Sequence, residues 1–217
     1  MPYDVWPEGP YIGRDEVWQG SGATPESENE VISSMVLAVI STSGTSDIRG
    51  VLPQLQLEQF QHDELYHREI ARLPVQRRLT HMALHFAKYA GNLAESAGDL
   101  ERVQRVVTDV FVIGTSCANA LNVRLAEALP DRPTSVEAYD LASFASALTI
   151  NAGRMAAACE KLDHLEDFPF RTVIREAAVE LVDRAICFSD AQAWDLERLV
   201  RERLAGVKQK MIFHDRL

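Results

Sequence analysis

Cysteine is scarce in this chain of 217 residues, and the three present, Cys117, Cys159 and Cys187, are odd in number and widely separated. That excludes a disulfide framework and the paired spacing of a zinc or redox motif, and it suits reduced, buried thiols in a cytoplasmic protein. No glycine-rich loop of the phosphate-cradling kind is present, and no serine or cysteine sits in a nucleophile motif. Long apolar runs are also lacking. The stretch Val36–Ile40 is far too short to span a bilayer, and MPYDVWPEGP carries an early acid with no basic segment before an apolar core, so it does not read as a signal peptide. Basic clusters are missing too: a net charge of −10 and a pI near 5.1 oppose nonspecific attraction to nucleic acid or to an anionic membrane. Finally, no segment of useful length alternates with the period of a strand, so the expected fold is all-α.

What the chain does have is helical periodicity, and the clearest case is His81–Leu93, HMALHFAKYAGNL. At 100° per residue His81, His85, Lys88 and Asn92 form one polar stripe, with Met82, Phe86, Tyr89 and Leu93 beside it as an apolar one. Ala83, Ala87, Ala90 and Gly91 leave room for another helix backbone to approach closely. Ahead of it, residues 1–30 are irregular, with several prolines and glycines, and Trp6, Tyr11 and Trp18 are placed to pin that arm to the body or to a partner. Glu30–Ser43 reads as a short apolar helix. The period is steady from Leu55, breaks at Pro74, and resumes over Asp99–Val123 with Asp99 as a cap. Pro130 and Pro133 close this half. Thr134-Ser-Val-Glu137 is a capping-box pattern opening a helix to about His164. Pro169 interrupts, and Arg171–Ala193 and Asp195–Met211 follow, with Asp195 capping the last.

The two halves read as one unit written twice. His85–Leu93 aligns without gaps on Ala147–Met155, Val106–Asp109 on Glu180–Asp183, and Leu121–Leu129 has an echo in Trp194–Leu199. The expected organisation is an arm and short helix over 1–50, a first helical unit over 51–130 and a second over 131–217, packed on one another within a single chain.

Candidate chemistry centres on carboxylates. Asp109 lies among apolar neighbours in VVTDVFVIG, so its charge must meet a cation, a metal or a proton. Glu180 and Asp183, at i and i+3, present two oxygens on one helix face and are the best Mg²⁺ candidates, although a solvated acidic pair neutralised by Arg184 has the same spacing. His81 and His85 have a transition-metal spacing, but zinc takes at least three protein ligands and no cysteine is placed to join them. Glu64-Leu-Tyr-His67 has the Glu-x-x-His spacing of di-iron bundles without the second motif those sites require.

Residues 55–217 resemble the MazG-like, all-α nucleoside triphosphate pyrophosphohydrolases, which include the dimeric dUTPases. LQLEQFQ followed by HMALHFAKYAGNLAE is similar to that family's opening helix and first metal helix, VVTDVFVIGTSCANALNVRLAEAL to its second metal helix and the following segment, and KQKMIFHDR to its lysine-containing tail, with His214 in place of asparagine. The resemblance implies Mg²⁺ held by Glu-x-x-Glu and Glu-x-x-Asp, and cleavage of a triphosphate to a monophosphate and pyrophosphate. Here Tyr89 and Asn92 stand at the first pair in one unit and Asn151 and Arg154 in the other, while only Asp109, Glu180 and Asp183 persist of the acids. The implied reading is a tandem, degenerate member that binds a nucleotide or a protein partner, a second copy included, with little or no hydrolysis. Lys88, Asn92, Asn151, Arg154, Lys208 and Lys210 are then the nucleotide-contacting candidates, and no cofactor is required. The alternative is an active Mg²⁺ enzyme in which Glu180, Asp183 and Asp109 bind metal and act in catalysis. Under the first reading ion pairs fill the old metal seats: Lys88 or His85 with Asp109, and Arg154 with Glu180 or Asp183.

Overall fold

The computed structural model describes residues 48–96, 98–131 and 140–209. The arm, the short helix over Glu30–Ser43, the capping-box residues Thr134–Glu137, and Lys210 and His214 lie outside them. Among the described residues all regular structure is helical: α1 (Ile48–Tyr66), α2 (Arg68–Ala71), α3 (Val75–Ala94), α4 (Leu100–Ala120), α5 (Leu125–Ala128), α6 (Leu141–Asp163), α7 (Phe170–Ala191) and α8 (Leu196–Gln209).

The helix starts follow local chemistry. Asp99 accepts from the Glu101 and Arg102 amides at 3.0 and 3.2 Å, Asp140 from Ser143 N at 2.7 Å, and Asp195 from Arg198 N at 2.9 Å, each satisfying donors that a first turn cannot pair internally. Pro74 and Pro169 stand immediately before α3 and α7, where a missing amide hydrogen costs nothing.

Apolar stripes set the packing. On α1 the buried face runs through Ile48, Leu52, Leu55, Gln59, His62 and Tyr66. The buried positions of α3 (Leu79, Met82, Ala83, Phe86, Tyr89, Leu93) form a similarly narrow stripe. Helix α4 differs: Val106 through Phe111 and Gly114 through Ala118 are all buried, so it is enclosed nearly all round. It packs against α1, α3, α7 and α8, and α3 lies along α6 and α6 along α7, which closes a ring of four long helices with α1 and α8 laid on α4. One continuous apolar core runs through all of them. Cys117 and Cys159 are buried in it, Cys187 is buried with its Sγ 3.9 Å from Asp183 Oδ2, and burial pushes the Cys117 thiol up to about 12. No described helix is long and apolar enough to cross a membrane.

The exits of α4 and α7 share three backbone hydrogen bonds. Leu121 N, Asn122 N and Val123 N donate to the carbonyls of Cys117, Asn119 and Ala118, and Gln192 N, Ala193 N and Trp194 N donate to those of Phe188, Asp190 and Ser189. Asn122 and Ala193 both have φ of 54°. Asparagine visits this left-handed region readily, whereas alanine does so at roughly 1–2 kcal/mol. The Gln56 amide secures the first exit to α1, donating to Val123 O and Asn119 Oδ1 and accepting from Leu125 N.

At Gly114 the backbone of α4 lies close against α7. A Cβ there would stand 2.6 Å from Val182 Cγ2, and Val182 is fully buried. Overpacking of this kind costs about 1–3 kcal/mol, against about 1 kcal/mol gained in helix propensity. Gly114→Ala is therefore expected to destabilise the fold by about 1 kcal/mol in urea unfolding, and Gly114→Ala with Val182→Ala to respond less than additively. A Gly114→Ala protein as stable as the parent would mean that the two helices have slack here.

Candidate functional site

The three carboxylates singled out by sequence are held by different arginines. Asp109 projects from α4 to α8, where Arg203 grips it with both arms, Nε to Oδ1 at 2.5 Å and Nη2 to Oδ2 at 3.2 Å. This corrects the expected partners: Lys88 and His85 do not pair with Asp109. Lys88 lies near enough to feel the Asp109 charge, but its Nζ is 3.2 Å from His85 Nδ1 and sits over the Tyr89 ring. Burial, opposed by Asp109 and reinforced by Arg203, holds the Lys88 ammonium below its ordinary range. Asp183 pairs with Arg49 of α1 at 3.3 Å. Glu180 lies 3.7 Å from Arg154 Nη1 and 3.8 Å from Arg184 Nη2, and Arg154 also reaches Glu176 at 3.3 Å.

Glu180 and Asp183 line one open groove of about 390 Å³ with Arg175, Glu176 and Arg184, and Asp109 is not part of it. Asn151 is buried, its amide donating to Ala147 O and accepting from Arg154 Nη1 at 3.2 Å, so it orients the arginine rather than facing solvent. Asn92 is exposed, and Lys208, also exposed, stands 5.9 Å from the centre of the Tyr66 ring. Counting back equally from the matched exits of α4 and α7 sets Asp109 level with Glu180, not with Asp183 as the sequence alignment has it.

A second polar cluster joins the His81 and His85 pair to residues that the sequence did not single out. Asp63, His67, Arg78, His81, His85 and Ser116 line a cavity of about 100 Å³ whose remaining wall is largely apolar. Asp63 accepts from Ser116 Oγ at 2.7 Å and Gln59 Nε2 at 2.8 Å, and burial raises its carboxyl above the usual range despite both bonds. His81 Nε2 and His85 Nε2 are 3.0 Å apart, and Tyr89 Oη is 3.1 Å from His85 Nδ1. Burial, then the Lys88 ammonium, depress both imidazoles, His85 to about 4, so they are neutral near pH 7. With Lys88 donating to His85 Nδ1, the His85 Nε2–H donates to His81 Nε2, a three-member chain from Lys88 to the cavity. Two of its members were visible as the i, i+4 histidines of α3; nothing in the sequence placed Asp63 and Ser116 beside them.

Among the described residues no three His, Cys, Asp or Glu side chains converge as a metal-binding group. Comparison with protein-family models, with curated proteins and with solved structures returns no match.

Proposed function

We propose that this chain is a tandem MazG-like helical bundle whose acidic centre has passed from metal binding to internal arginine pairing, leaving a nucleotide-binding or interaction module with little or no hydrolysis. The observation that carries this reading is the two-armed Arg203–Asp109 pair. A divalent ion needs carboxylate oxygens with lone pairs turned toward it, and a forked guanidinium occupies both. Displacing it would strand a cation that is two-thirds covered. The tandem part draws support from the ring, in which each hairpin, α3–α4 and α6–α7, gives one helix to each cross-contact, and from the repeated exits of α4 and α7. A cytoplasmic location and a second copy or another protein as partner belong to the same reading.

One observation favours the alternative, an active Mg²⁺ pyrophosphohydrolase with a single residual site. Glu180 and Asp183 line an open groove beside Arg175 and Arg184, a mixture of carboxylates for a metal and guanidinium groups for a triphosphate. A thermal-shift panel of nucleoside triphosphates with and without Mg²⁺, followed by pyrophosphate detection, separates the two. A binder raises the melting temperature without Mg²⁺, by a stabilisation of about 2.7 kcal/mol at a hundred times Kd, and releases no pyrophosphate. Mg²⁺-dependent pyrophosphate release that Glu180→Gln abolishes would establish the enzyme instead.

A further inference from the structure

We propose that His81 and His85 form an open chelating site for a divalent first-row transition ion, Cu(II) by preference, on the wall of the cavity bounded by α1, α3 and α4. The site is separate from Asp109, Glu180 and Asp183, and the proposal does not depend on the nucleotide reading.

The geometry sets both the ligands and the metal. Two imidazoles on successive turns of one helix bring Nε2 to within 3.0 Å of Nε2, with ring planes at 73°; the proton they share in the metal-free chain is what an ion replaces, with a small turn of each ring toward it. With metal–imidazole bonds of about 2.0–2.1 Å, nitrogens at right angles stand about 2.9 Å apart, and at the tetrahedral angle about 3.4 Å. The observed separation matches adjacent corners of a square-planar or tetragonal ion. Among divalent first-row ions that geometry belongs to Cu(II) and Ni(II), and Cu(II) heads the affinity order for nitrogen ligands. A zinc ion would require the rings to part and a third protein ligand.

The surroundings complete the argument. When His85 ligates through Nε2 its proton moves to Nδ1, and the Tyr89 hydroxyl at 3.1 Å accepts it, the outer hydrogen bond that orients a metal-bound imidazole. Asp63 and Glu64 line the same cavity with Arg78, and open coordination positions remain for water there. Lys88 opposes the metal, because its ammonium stands 3.2 Å from the same Nδ1 and must swing away for that nitrogen to donate. The lysine lies at the exposed edge of the site and has room to do so.

The test is a Cu(II) titration of tag-free full-length protein, followed by electron paramagnetic resonance. The expected result is one Cu(II) per chain with hyperfine structure from two imidazole nitrogens. His81→Gln and His85→Gln each remove one nitrogen from the spectrum and weaken binding by about tenfold or more. Lys88→Ala keeps both ligands, removes the opposing charge, and tightens binding several-fold, a gain that a misfolded variant would not produce. The proposal is overturned if no stoichiometric Cu(II) binds, if the spectrum and affinity survive both histidine substitutions, or if Lys88→Ala weakens binding.

Discussion

Arg203→Ala is expected to destabilise the protein by about 3 kcal/mol, because it leaves the Asp109 carboxylate among valines and Phe111 with no guanidinium facing it. Breaking a buried pair by removing one partner costs about 3–5 kcal/mol, and the lower figure applies because the Arg203 side chain keeps 34% of its exposure while Asp109 keeps 11%. Lys88 decides how much of this is felt. Its ammonium already senses Asp109 and can turn from His85 toward the vacated carboxylate, so Lys88→Ala alone is expected to cost well under 1 kcal/mol, whereas Arg203→Ala with Lys88→Ala exceeds the sum of the two. Asp109→Asn with Arg203→Ala should recover part of the loss, since an amide tolerates burial better than an unpaired charge. Urea unfolding of the four variants at fixed pH measures the cycle. A single-variant cost below about 1 kcal/mol would show that Asp109 finds water or another cation without Arg203.

The same pair shows where a sequence stops being legible. That Asp109 must meet a cation, a metal or a proton followed from its neighbours alone, because an ionised carboxylate in an apolar run is untenable without a partner. Which cation it meets did not follow, since Arg203 is 94 residues away and is brought there by the packing of α8 on α4. Lys88, one helical turn from Asn92, was expected there with His85 as the alternative; its ammonium senses the Asp109 charge, but its hydrogen bond goes to His85. Local signals fared better. Asp99 and Asp195 cap the helices they were expected to cap, because an N-cap bond spans only two or three residues. For the helix that ends at Asp163 the observed cap is Asp140, downstream of the Thr134–Glu137 pattern.

Periodicity ranked the helices differently from burial. The amphipathic stripe of α3 is the most conspicuous pattern in the chain, yet the helix enclosed on most sides is α4, whose apolar residues run all round and so give no stripe. An amphipathic pattern reports a boundary between core and solvent, and it fades where a helix has no solvent face. The cavity was hidden for a related reason. Asp63, His81 and Ser116 come from three helices, and each alone resembles an ordinary half-buried polar side chain. Only the crossing of α1 over α4, which joins Ser116 Oγ to Asp63 across 53 residues of sequence, makes them neighbours.

Acidification from pH 7 to pH 4 is expected to remove about 2 kcal/mol of stability through His85 alone, in buffer with a chelator present. Its folded imidazole takes up a proton only at about 4, held down by burial and then by Lys88, His81 and His67, whereas the unfolded chain does so near 6.5. Between those values the unfolded state binds more protons, so stability is full above pH 6.5 and drains away as pH falls toward 4. The undiscounted linkage is about 3.4 kcal/mol, reduced here because the imidazole is only partly buried and solvent screens it. His81 and His62, both lowered chiefly by burial, add in the same direction. Asp63 works against them: its raised carboxyl takes a proton in the fold before it would in the unfolded chain, so acidification returns some stability there. His85→Gln keeps a hydrogen-bonding side chain that does not titrate. Chemical unfolding at pH 7 and pH 5 should therefore show a smaller loss on acidification for His85→Gln than for the parent, and equal losses would place the pH sensitivity elsewhere in the bundle.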